Sequence, residues 1–440
     1  MSEQMKPSGI DWIGDIPRSW NIKRIKYLAQ LKGRIGWQGL TSDEYTDVGP
    51  FLITGVDFSD GGINWESCVH ITEERWAEAP EIHIKNGDLL ITKDGTVGKV
   101  AIVENLQGKA CLNSGVLLIK TSNEYSKKFL YWALLSEEFW TWFRLKNAGN
   151  STIIHLYQND FAEFSYTFPD ITEQNAIADF LDKECAQIDS IAADLEKQIA
   201  LLQQYKKSLI TETVTKGLDK SMPLKDSGIE WFGEIPAHWD VEPIKYRVTF
   251  HNGDRGENYP SKSELQSEGI PFINAGHLEG DGLNMDNMDY ISEEKYRIMG
   301  GVKLRSGDIL YCLRGSVGKN AIVDMNQGTV ASSLVAIRSV RISAEYLYYC
   351  LNSYIEEVQR YLWDNGTAQP NLSADNLGKY KICIPTVEEQ RTIVKYLNNI
   401  CSQIDNLIIG KRKQLSTIQQ HKKSLIYEYV TGKKRVKEVQ

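Results

Sequence analysis

The sequence lacks the features that mark membrane, secreted and zinc-binding proteins. Nowhere does it contain the ~18 consecutive apolar residues that a membrane-spanning helix needs. Its seven cysteines stand singly, without a Cys-x-x-Cys pair, and its seven histidines lack the spacing of metal ligands. The polar stretch from Met1 to Gly9 is unlike a secretory signal peptide. We therefore expect a cytoplasmic protein with unpaired cysteines and without a metal site.

An excess of basic residues is lacking as well. The formal net charge is −8, from 50 lysines and arginines against 58 aspartates and glutamates. Nucleic-acid binding usually leaves a basic footprint, so the bulk charge taken alone argues mildly against it. In a chain of several domains, however, a local basic patch or a partner protein can supply the positive charge.

What the sequence does have is an internal duplication. Its 440 residues, 42% hydrophobic and 25% charged, are enough for roughly two to four globular domains. Three blocks recur in the same order at offsets of 219, 220 and 216 residues. The recurring blocks are Gly9-Ile-Asp-Trp-Ile-Gly-Asp-Ile-Pro-Arg-Ser-Trp20 with Ile25-Lys-Tyr27, Gly87-Asp-Leu-Leu with Gly95-Thr-Val-Gly-Lys99, and Gln187-Ile-Asp189 with Lys206-Lys-Ser-Leu-Ile210. The chain is therefore two copies of one unit of ~220 residues.

The segments between these blocks disagree. Residues 28–50 and 247–271 share almost nothing, and neither do 124–149 and 341–364. The repeated blocks are similar in the two copies, whereas the segments between them differ. This pattern indicates one task carried out on two different targets.

Each copy is predicted to be an α+β head followed by a long helix. Leu89 to Thr92 and Val100 to Val103 are typical of two strands joined by a turn at Asp94-Gly95. Tyr125 to Leu145 and Glu345 to Leu362 are aromatic-rich and roughly helix-periodic. We predict heads at 1–170 and 218–386, a spacer helix at 171–217, and a second helix with a basic tail at 387–440. The tail, Lys433-Lys434-Arg435, is expected to be disordered.

The long helices carry a seven-residue repeat of apolar residues, which predicts a coiled-coil seam. In the first helix the row is Leu181, Ile188, Leu195, Leu202 and Leu209. In the second it is Leu397, Ile404, Ile418 and Leu425, with Lys411 interrupting it. Residues 171–215 would form a helix of ~67 Å, and its single apolar stripe must be buried. Packing on its own head is one possibility; the regular spacing favours an antiparallel coiled coil with the other copy's helix, which gives pseudo-twofold symmetry.

These motifs together resemble the two halves of type I restriction-modification specificity subunits. The resemblance rests on Gly-Ile-[Asp/Glu]-Trp-x-Gly-[Asp/Glu]-Ile-Pro-x-x-Trp, on Gly-Asp-[Leu/Ile]-Leu before Gly-[Thr/Ser]-Val-Gly-Lys, and on the Pro-x-x-x-Glu-Gln start and Lys-Lys-Ser-Leu-Ile end of the long helices. It covers nearly the whole chain, in order, twice.

The resemblance implies a non-catalytic subunit that reads double-stranded DNA. Each head would be a target-recognition domain for one half of a split, asymmetric sequence, and the helices would set the spacing between half-sites, typically one helical turn of about 34–36 Å or a multiple. Two modification (methyltransferase) subunits and two restriction (nuclease and translocase) subunits would join it. S-adenosylmethionine, ATP and Mg²⁺ would bind to those partners, with no cofactor on this chain.

Polar side chains around the glycine-containing turns are the first candidates for DNA contact. In the first copy they are Lys93, Asp94, Thr96 and Lys99; in the second they are Arg314, Ser316 and Lys319. An arginine can bind guanine O6 and N7, and an aspartate can accept from cytosine N4, so Asp94 and Arg314 would prefer different bases. A plain hairpin turn with solvated charges is the alternative explanation.

Two further sets are candidates. The polar loops before the long helices contribute Asn150, Ser151, Thr152 and His155 in the first copy, and Asn365, Thr367, Gln369 and Asn371 in the second. The divergent segments early in each head contribute Arg34, Trp37 and Gln38, then Arg255, Asn258 and Lys262. The alternative for the first set is ordinary turn chemistry, to which we assign Asn365. Lys206, Lys207, Lys422 and Lys423 are expected on a solvated helix face or against a partner.

Catalytic motifs are not found. In Gly95-Thr-Val-Gly-Lys99 the glycines are only three apart, unlike a phosphate-binding P-loop. Glu293-Glu294-Lys295 is the nearest fragment to a nuclease cluster, but it has no counterpart in the first copy and is typical of a helix start. The rival hypothesis of a different class is a pseudo-dimeric coiled-coil adaptor whose heads bind protein or glycan.

Overall fold

The computed structural model describes residues 4–34, 40–148, 154–280, 282–363 and 371–436. The chain forms two compact units, one made of Met1–Leu195 and Lys413–Gln440, the other of Glu196–Arg412. Each unit therefore holds one head, the first part of that head's long helix and the last part of the other copy's helix. The division into heads and spacers given above stays a prediction.

The first head and its helix contain these elements. The strands are β1 Met5–Pro7, β2 Asp15–Pro17, β3 Asn21–Arg24, β4 Ala29–Gly33, β5 Thr46–Ile53, β6 Phe58–Ser59, β7 Gly62–Ile63, β8 Val69–His70, β9 His83–Ile84, β10 Leu89–Thr92, β11 Val100–Ile102, β12 Ala110–Leu112, β13 Val116–Thr121 and β14 Ser165–Phe168. The helices are α1 Ile25–Leu28, α2 Glu73–Ala77, α3 Lys127–Leu135, α4 Glu137–Lys146, α5 Gln158–Ala162 and α6 Ile171–Lys216.

The second copy repeats the plan. Its strands are β15 Leu224–Asp226, β16 Glu234–Pro236, β17 Asp240–Pro243, β18 Val248–Asn252, β19 Ile270–Ile273, β20 Leu278–Glu279, β21 Gly282–Leu283, β22 Tyr290–Ile291, β23 Ile309–Cys312, β24 Asn320–Ile322, β25 Thr329–Val330, β26 Leu334–Ser339 and β27 Lys381–Ile384. Its helices are α7 Glu293–Ile298, α8 Ala344–Leu351, α9 Tyr354–Trp363, α10 Ala374–Gly378 and α11 Val387–Val430.

A four-stranded antiparallel sheet organises each head. Its strand order is β11-β10-β13-β4 in the first head and β24-β23-β26-β18 in the second. A second sheet, β8-β5-β12-β9 or β22-β19-β25, contains one parallel pair, β5 with β12 or β19 with β25. The predicted strands at Leu89–Thr92 and from Val100 are confirmed, as is the α+β class.

The aromatic-rich segments fold differently from the continuous pattern in the sequence. Each is broken into two helices, α3 and α4 at Ser136, and α8 and α9 at Ser353. In both places the serine hydroxyl donates to the carbonyl three residues earlier, at 2.7 Å, which ends the first helix. The helices then pack their aromatic faces on the sheet and on the long helices, and residues such as Phe129, Phe139 and Tyr346 are fully buried.

The repeated motifs attach each long helix to its head. The indole N–H of Trp20 donates to Glu173 at 3.2 Å, and that of Trp239 donates to Glu389 at 3.1 Å. The next residue, Gln174 or Gln390, accepts from a backbone N–H at the start of α3 or α8, at 2.8 and 3.0 Å. The opening tryptophan motif and the Pro-x-x-x-Glu-Gln motif thus contact each other, which explains why both recur.

Within each unit the two long helices run antiparallel. In the first unit Asp189 bonds Lys422 at 2.6 Å, and in the second Asp405 bonds Lys206 at 2.8 Å. The Gln-Ile-Asp motif of either helix therefore pairs with the Lys-Lys-Ser-Leu-Ile motif of the other, and the neighbouring lysines, Lys207 and Lys423, pair with Glu357 and Glu137. We had expected these four lysines on a solvated face or against a partner; Lys423 is exposed, and all four also pair with acidic side chains of this chain.

The predicted seam lies at this helix contact. Leu181, Ile188, Leu195, Leu397, Ile404 and Leu425 are buried, whereas Leu202, Leu209 and Ile418 are half-buried. Lys411 stands in the seam and donates to Gln198 at 2.5 Å. Ile210 and Val214 join the core of the second unit, and Leu425, Ile426 and Val430 join that of the first. The coiled-coil prediction is confirmed within each unit.

The basic tail is bound to the first head up to Val436, so the expectation of disorder was wrong there. The Lys433 ammonium donates to the carbonyl of Ile13 at 2.8 Å, and Arg435 pairs with Glu173. Gly432, at a φ of +72°, places the chain against Trp20, where a Cβ would also come within 2.5 Å of Pro17. Gly217 packs against Trp239 in the corresponding way.

Candidate nucleic-acid interface

A glycine-containing turn closes the β10–β11 hairpin at one edge of the first head's sheet. The Thr92 N–H donates to the Lys99 carbonyl, and the Gly98 N–H to the Thr92 carbonyl, both at 2.9 Å. Gly95 and Gly98 have φ angles of +70° and +82°, a region that favours glycine. A Cβ on Gly98 would come within 2.5 Å of the Trp140 ring, so the motif needs glycine here for two reasons.

The second head builds the same turn from different residues. The Cys312 N–H donates to the Lys319 carbonyl at 2.8 Å, and the Gly318 N–H to the Cys312 carbonyl at 3.2 Å. Gly315 and Gly318 have φ angles of +75° and +94°. The backbone of the turn is thus fixed by the repeat, while its exposed side chains are free to differ.

In both heads the loop before the long helix joins this turn. The Leu156 N–H donates to the Lys93 carbonyl at 2.9 Å, and the Leu372 N–H donates to the Leu313 carbonyl at 2.9 Å. Two candidate sets that lie ~60 residues apart in sequence therefore form one surface in each head. This surface, the turn with its adjoining loop, is hereafter called the turn edge.

The turn edge of the first head carries a histidine–carboxylate pair. Asp94 Oδ1 lies 2.5 Å from Nδ1 of His155, and both side chains are partly exposed, at 40% and 35%. Because an ionised carboxylate only accepts, His155 donates through Nδ1, and its Nε2 has no hydrogen-bond partner among the described residues. Tyr157, whose ring is 5.9 Å from that of His155 and 59% exposed, was missed by the sequence argument.

Of the remaining first-head candidates, two bond the head and one makes no bond to the described residues. The Thr96 hydroxyl donates to the Gly55 carbonyl at 2.9 Å, and the Lys99 ammonium to the Phe58 carbonyl at 3.3 Å, so both also hold the turn on the head. The half-buried Lys93 ammonium makes no hydrogen bond or ion pair with the part of the chain that is described.

The turn edge of the second head presents an exposed guanidinium, that of Arg314. Arg314 is exposed, and its side chain bonds no residue within the described ranges, while its backbone bridges to Asn371. Ser316 and Lys319 are exposed beside it. Arg255 joins this edge, because its guanidinium donates to the Ser332 carbonyl at 3.4 Å and the next carbonyl, of Ser333, accepts from Leu313 at 2.8 Å.

Three early-segment candidates lie elsewhere. Arg34 is only 4% exposed and donates through Nε to the Leu112 carbonyl at 2.8 Å. It stabilises the interior of the first head, and we withdraw it as a DNA contact. Asn258 is exposed and donates to the Ile298 carbonyl at 3.1 Å, and Lys262 begins a short 3-10 turn. Both lack a hydrogen bond to the turn edge in the described structure.

Several candidates lie outside the described residues, and the structure does not test them. They are Trp37, Gln38, Asn150, Ser151, Thr152, Asn365, Thr367 and Gln369. In the described ranges, no three histidine, cysteine, aspartate or glutamate side chains are grouped so that they could hold a metal ion. No helix in the described part of the chain combines the length and apolar character needed to cross a membrane.

This chain is similar to known proteins along both of its copies. The family model of the type I restriction modification DNA specificity domain matches residues 17–201 and 249–417, one stretch in each copy. The type I restriction enzyme MjaVIII specificity subunit of Methanocaldococcus jannaschii is 26% identical over 438 residues, which cover 96% of this chain and 94% of that protein. The EcoBI specificity subunit of Escherichia coli is 24% identical over 445 residues, covering 98% and 90%.

A solved structure shows the same fold. A chain from a study of complex assembly and conformational transition in a type I R-M system superposes with a TM-score of 0.68 at 17% identity, covering 94% of this chain and 98% of that one. The family model covers most of the sequence and falls on both copies of the duplication. The chain therefore belongs to the family of type I restriction-modification specificity subunits.

Proposed function

We propose that this chain reads a DNA sequence in two unlike halves and directs partner subunits to it. One observation carries the proposal: both heads fix the turn edge with the same backbone hydrogen bonds, yet they present Asp94 with His155 in one head and Arg314 in the other. A shared frame with different exposed chemistry is what two readers of different half-sites require.

The two turn edges differ in the base edges they can bind. The guanidinium of Arg314, which bonds no side chain or backbone group of the described residues, can donate two hydrogen bonds to guanine O6 and N7 in the major groove. In the first head the Asp94 carboxylate is partly used by His155, so His155 Nε2 is an additional group that can contact a base. The target would accordingly be asymmetric, because two surfaces with different side chains would bind two different half-sites.

Catalysis would belong to partners. The relatives named above are specificity subunits, and we propose that two modification subunits bring S-adenosylmethionine for adenine methylation. Two restriction subunits would bring ATP, Mg²⁺ and the nuclease. This chain would recognise the DNA sequence and contribute no reacting group. Its formal net charge of −8 would be offset by basic surfaces on those partners.

The adaptor hypothesis predicts a different surface. A protein- or glycan-binding edge should present a contiguous apolar or aromatic patch. The described residues of the turn edges are mainly polar and include Lys93, Arg255, Arg314 and Lys319, which favours a phosphate-bearing ligand.

The test is to map the modified bases. The chain is co-expressed with its candidate modification subunit, and methylated adenines are located across the host genome by single-molecule sequencing. The proposal expects one split motif with unlike halves and a fixed gap, absent when the modification subunit is expressed alone. A complex that forms but methylates a palindrome, or an undivided motif, would contradict it.

A further inference from the structure

The duplication allows the two heads to be compared as if they were two related proteins. Many of the residues that recur are buried or make the contacts described above. Tyr27 and Tyr246 recur at the 219-residue offset and are exposed, at 67% and 62% of their surface. The core does not require them, so their recurrence needs another explanation.

The backbone presents both tyrosines in the same way. The preceding Ile25 and Ile244 are fully buried, and their N–H groups donate to the carbonyls of Phe164 and Tyr380 at 2.9 and 2.8 Å. Each isoleucine thereby anchors a Lys-Tyr pair, Lys26-Tyr27 or Lys245-Tyr246, at the surface.

The arrangement of each Lys-Tyr pair is also repeated. The lysine ammonium lies 5.2 Å from the centre of the following ring in both heads. A lysine over a tyrosine face is held by the electron-rich ring, so a partner meets a ring and a positive charge in a set geometry. We call these two places the Lys-Tyr surfaces.

Each Lys-Tyr surface lies at the end of the sheet opposite the turn edge. Along β4, Ala29 pairs with Thr121 next to Tyr27, whereas Gly33 pairs with Leu117 near Val116, the partner of Thr92 at the turn. The second head repeats this, with Val248 against Ser339 near Tyr246 and Cys312 against Leu334 near Arg314. Five strand residues separate the two ends by about 16 Å. Within each head the Lys-Tyr surface is therefore separate from the turn edge.

The surroundings are basic in both heads. Around Tyr27 the exposed charges are Lys23, Arg24, Lys26 and Lys120, with Glu163 the acid that pairs with Arg24 and Lys26. Around Tyr246 they are Lys245, Arg341 and Lys379, with Glu242 pairing with Arg247. In the first head, grooves of about 450 and 560 Å³ flank the Tyr27 ring. A partner that fits such a surface would present acidic side chains and an apolar recess that receives the tyrosine ring.

We propose that each Lys-Tyr surface docks one copy of the same partner protein through an acidic surface on that partner. The half-sites differ between the heads, so whatever contacts both heads identically must itself be the same at both. Resting on the proposed function, this assigns the surface to the modification subunit, one copy per head. Tyrosine suits the role because it brings a large, rigid contact area and a polar tip, and interface hot spots are rich in it.

The test counts bound subunits. Native mass spectrometry of the full chain with its modification subunit should show two copies for the wild type. Tyr27→Ala and Tyr246→Ala should each leave one copy bound at concentrations that saturate the wild type, and the double variant should bind both at least about 30-fold more weakly. Tyr27→Phe keeps the ring, which supplies the contact area, and should still bind two copies. Lys245→Glu should weaken its own site, and more so at low salt.

A matched control is Tyr361→Ala, which removes a tyrosine that is 86% exposed but lies where the two copies disagree. This control variant should still bind two copies of the modification subunit.

If the double tyrosine variant still binds two copies with wild-type affinity, the inference is wrong although the proposed function stands. If that variant binds the partner normally but loses affinity for a target duplex, the surface is a DNA contact and the inference is also wrong. A wild-type chain that binds no modification subunit at all overturns the proposed function, and the inference falls with it.

Discussion

Arg314 gives the most direct single-residue test of half-site reading, because its guanidinium is exposed at the turn edge and free within the described structure. Arg314→Ala should relax the choice at one base of one half-site, by about 1–3 kcal/mol, and leave the other half unchanged. The methylated motif, sequenced before and after the change, measures this.

Lys319→Ala on the same turn is the control for that experiment. A lysine that contacts phosphate positions the protein without choosing a base, so this variant should weaken binding to all sequences and lower the salt slope by about 1. An unchanged motif in Arg314→Ala would show that the turn does not read bases.

Glu389 ties helix α11 to the second head and makes that contact pH-dependent. Burial opposes ionisation, but hydrogen bonds from Thr386, Trp239 and His238 lower the pKa of Glu389 from 4.5 to about 2. Because its pKa is lowered in the folded protein, the ionised carboxylate stabilises the fold at pH values above the ordinary pKa of 4.5. That stabilisation is lost as the pH falls from 4.5 through about 2. Glu389→Gln should therefore unfold about 2–4 °C lower at pH 7, or about 1 kcal/mol after allowing for partial exposure, with the gap closing towards pH 3. Thermal melts followed by circular dichroism check this; a gap that is equal at both pH values would contradict it.

Glu138 is a buried carboxyl with the opposite behaviour. It is 6% exposed, its Oε2 accepts no hydrogen bond within the described residues, and burial raises its pKa. A raised pKa means that the folded protein favours the neutral carboxyl. Burying the ionised carboxylate therefore lowers the free energy of unfolding, and this cost is absent below the ordinary pKa of 4.5 and grows as pH rises above it. Glu138→Gln should raise the melting temperature by about 2–4 °C at pH 8 and change it little at pH 4.

Glu356 is the matched comparison for Glu138. It is equally buried and burial also raises its pKa, but its carboxylate accepts from the Tyr311 hydroxyl and from Arg360 Nε at 3.1 Å. Glu356→Gln should therefore destabilise the protein at pH 8, by about 1–3 kcal/mol, because the Arg360 guanidinium loses its negatively charged partner and keeps only a neutral amide oxygen. Stabilisation in both variants would show that hydrogen bonding does not distinguish the two sites.

The long helices are held in register by reciprocal ion pairs. Lys206 lies 2.9 and 2.8 Å from the two oxygens of Asp405, and Lys422 lies 2.6 and 2.7 Å from those of Asp189. Asp405→Lys should destabilise the second unit, and Asp405→Lys combined with Lys206→Asp should recover about 1 kcal/mol of the loss. A double-mutant cycle from denaturant unfolding measures this coupling, and additive effects of the two changes would refute it.

At the same scale, the sequence predicted elements better than their contacts. A seven-residue repeat is a local pattern, so the seam could be predicted without knowing the partner. The pairing of Asp189 with Lys422 spans 233 residues, and no local pattern reveals it. The break at Ser136 was missed because the apolar periodicity continues past it, whereas the backbone there becomes extended, with a ψ of 156°, and the Ser136 hydroxyl donates to the Ala133 carbonyl.

For the whole molecule, the duplication predicted the two-copy plan, and the turn edge was half predicted. Its two components were named separately, but the backbone bonds of Leu156 and Leu372 that join them connect distant segments. Arg34 was misjudged because divergence between the copies marks a loop as variable without telling whether a side chain faces solvent or, as here, the backbone of Leu112.

The exchange of helix ends between the units has a consequence for ancestry. The first unit is completed by residues 413–436, and the equivalent stretch of a single copy is the end of its own helix, with Ile210 and Val214 in place of Ile426 and Val430. A polypeptide of residues 1–217 therefore carries one head and a helix end that, in this chain, belongs to the other unit. It should assemble as a homodimer by exchanging helices, as a single-repeat ancestor would have done before gene fusion. Light scattering after size-exclusion chromatography would give twice the monomer mass, whereas a folded monomer would mean that the helix can turn back on its own head.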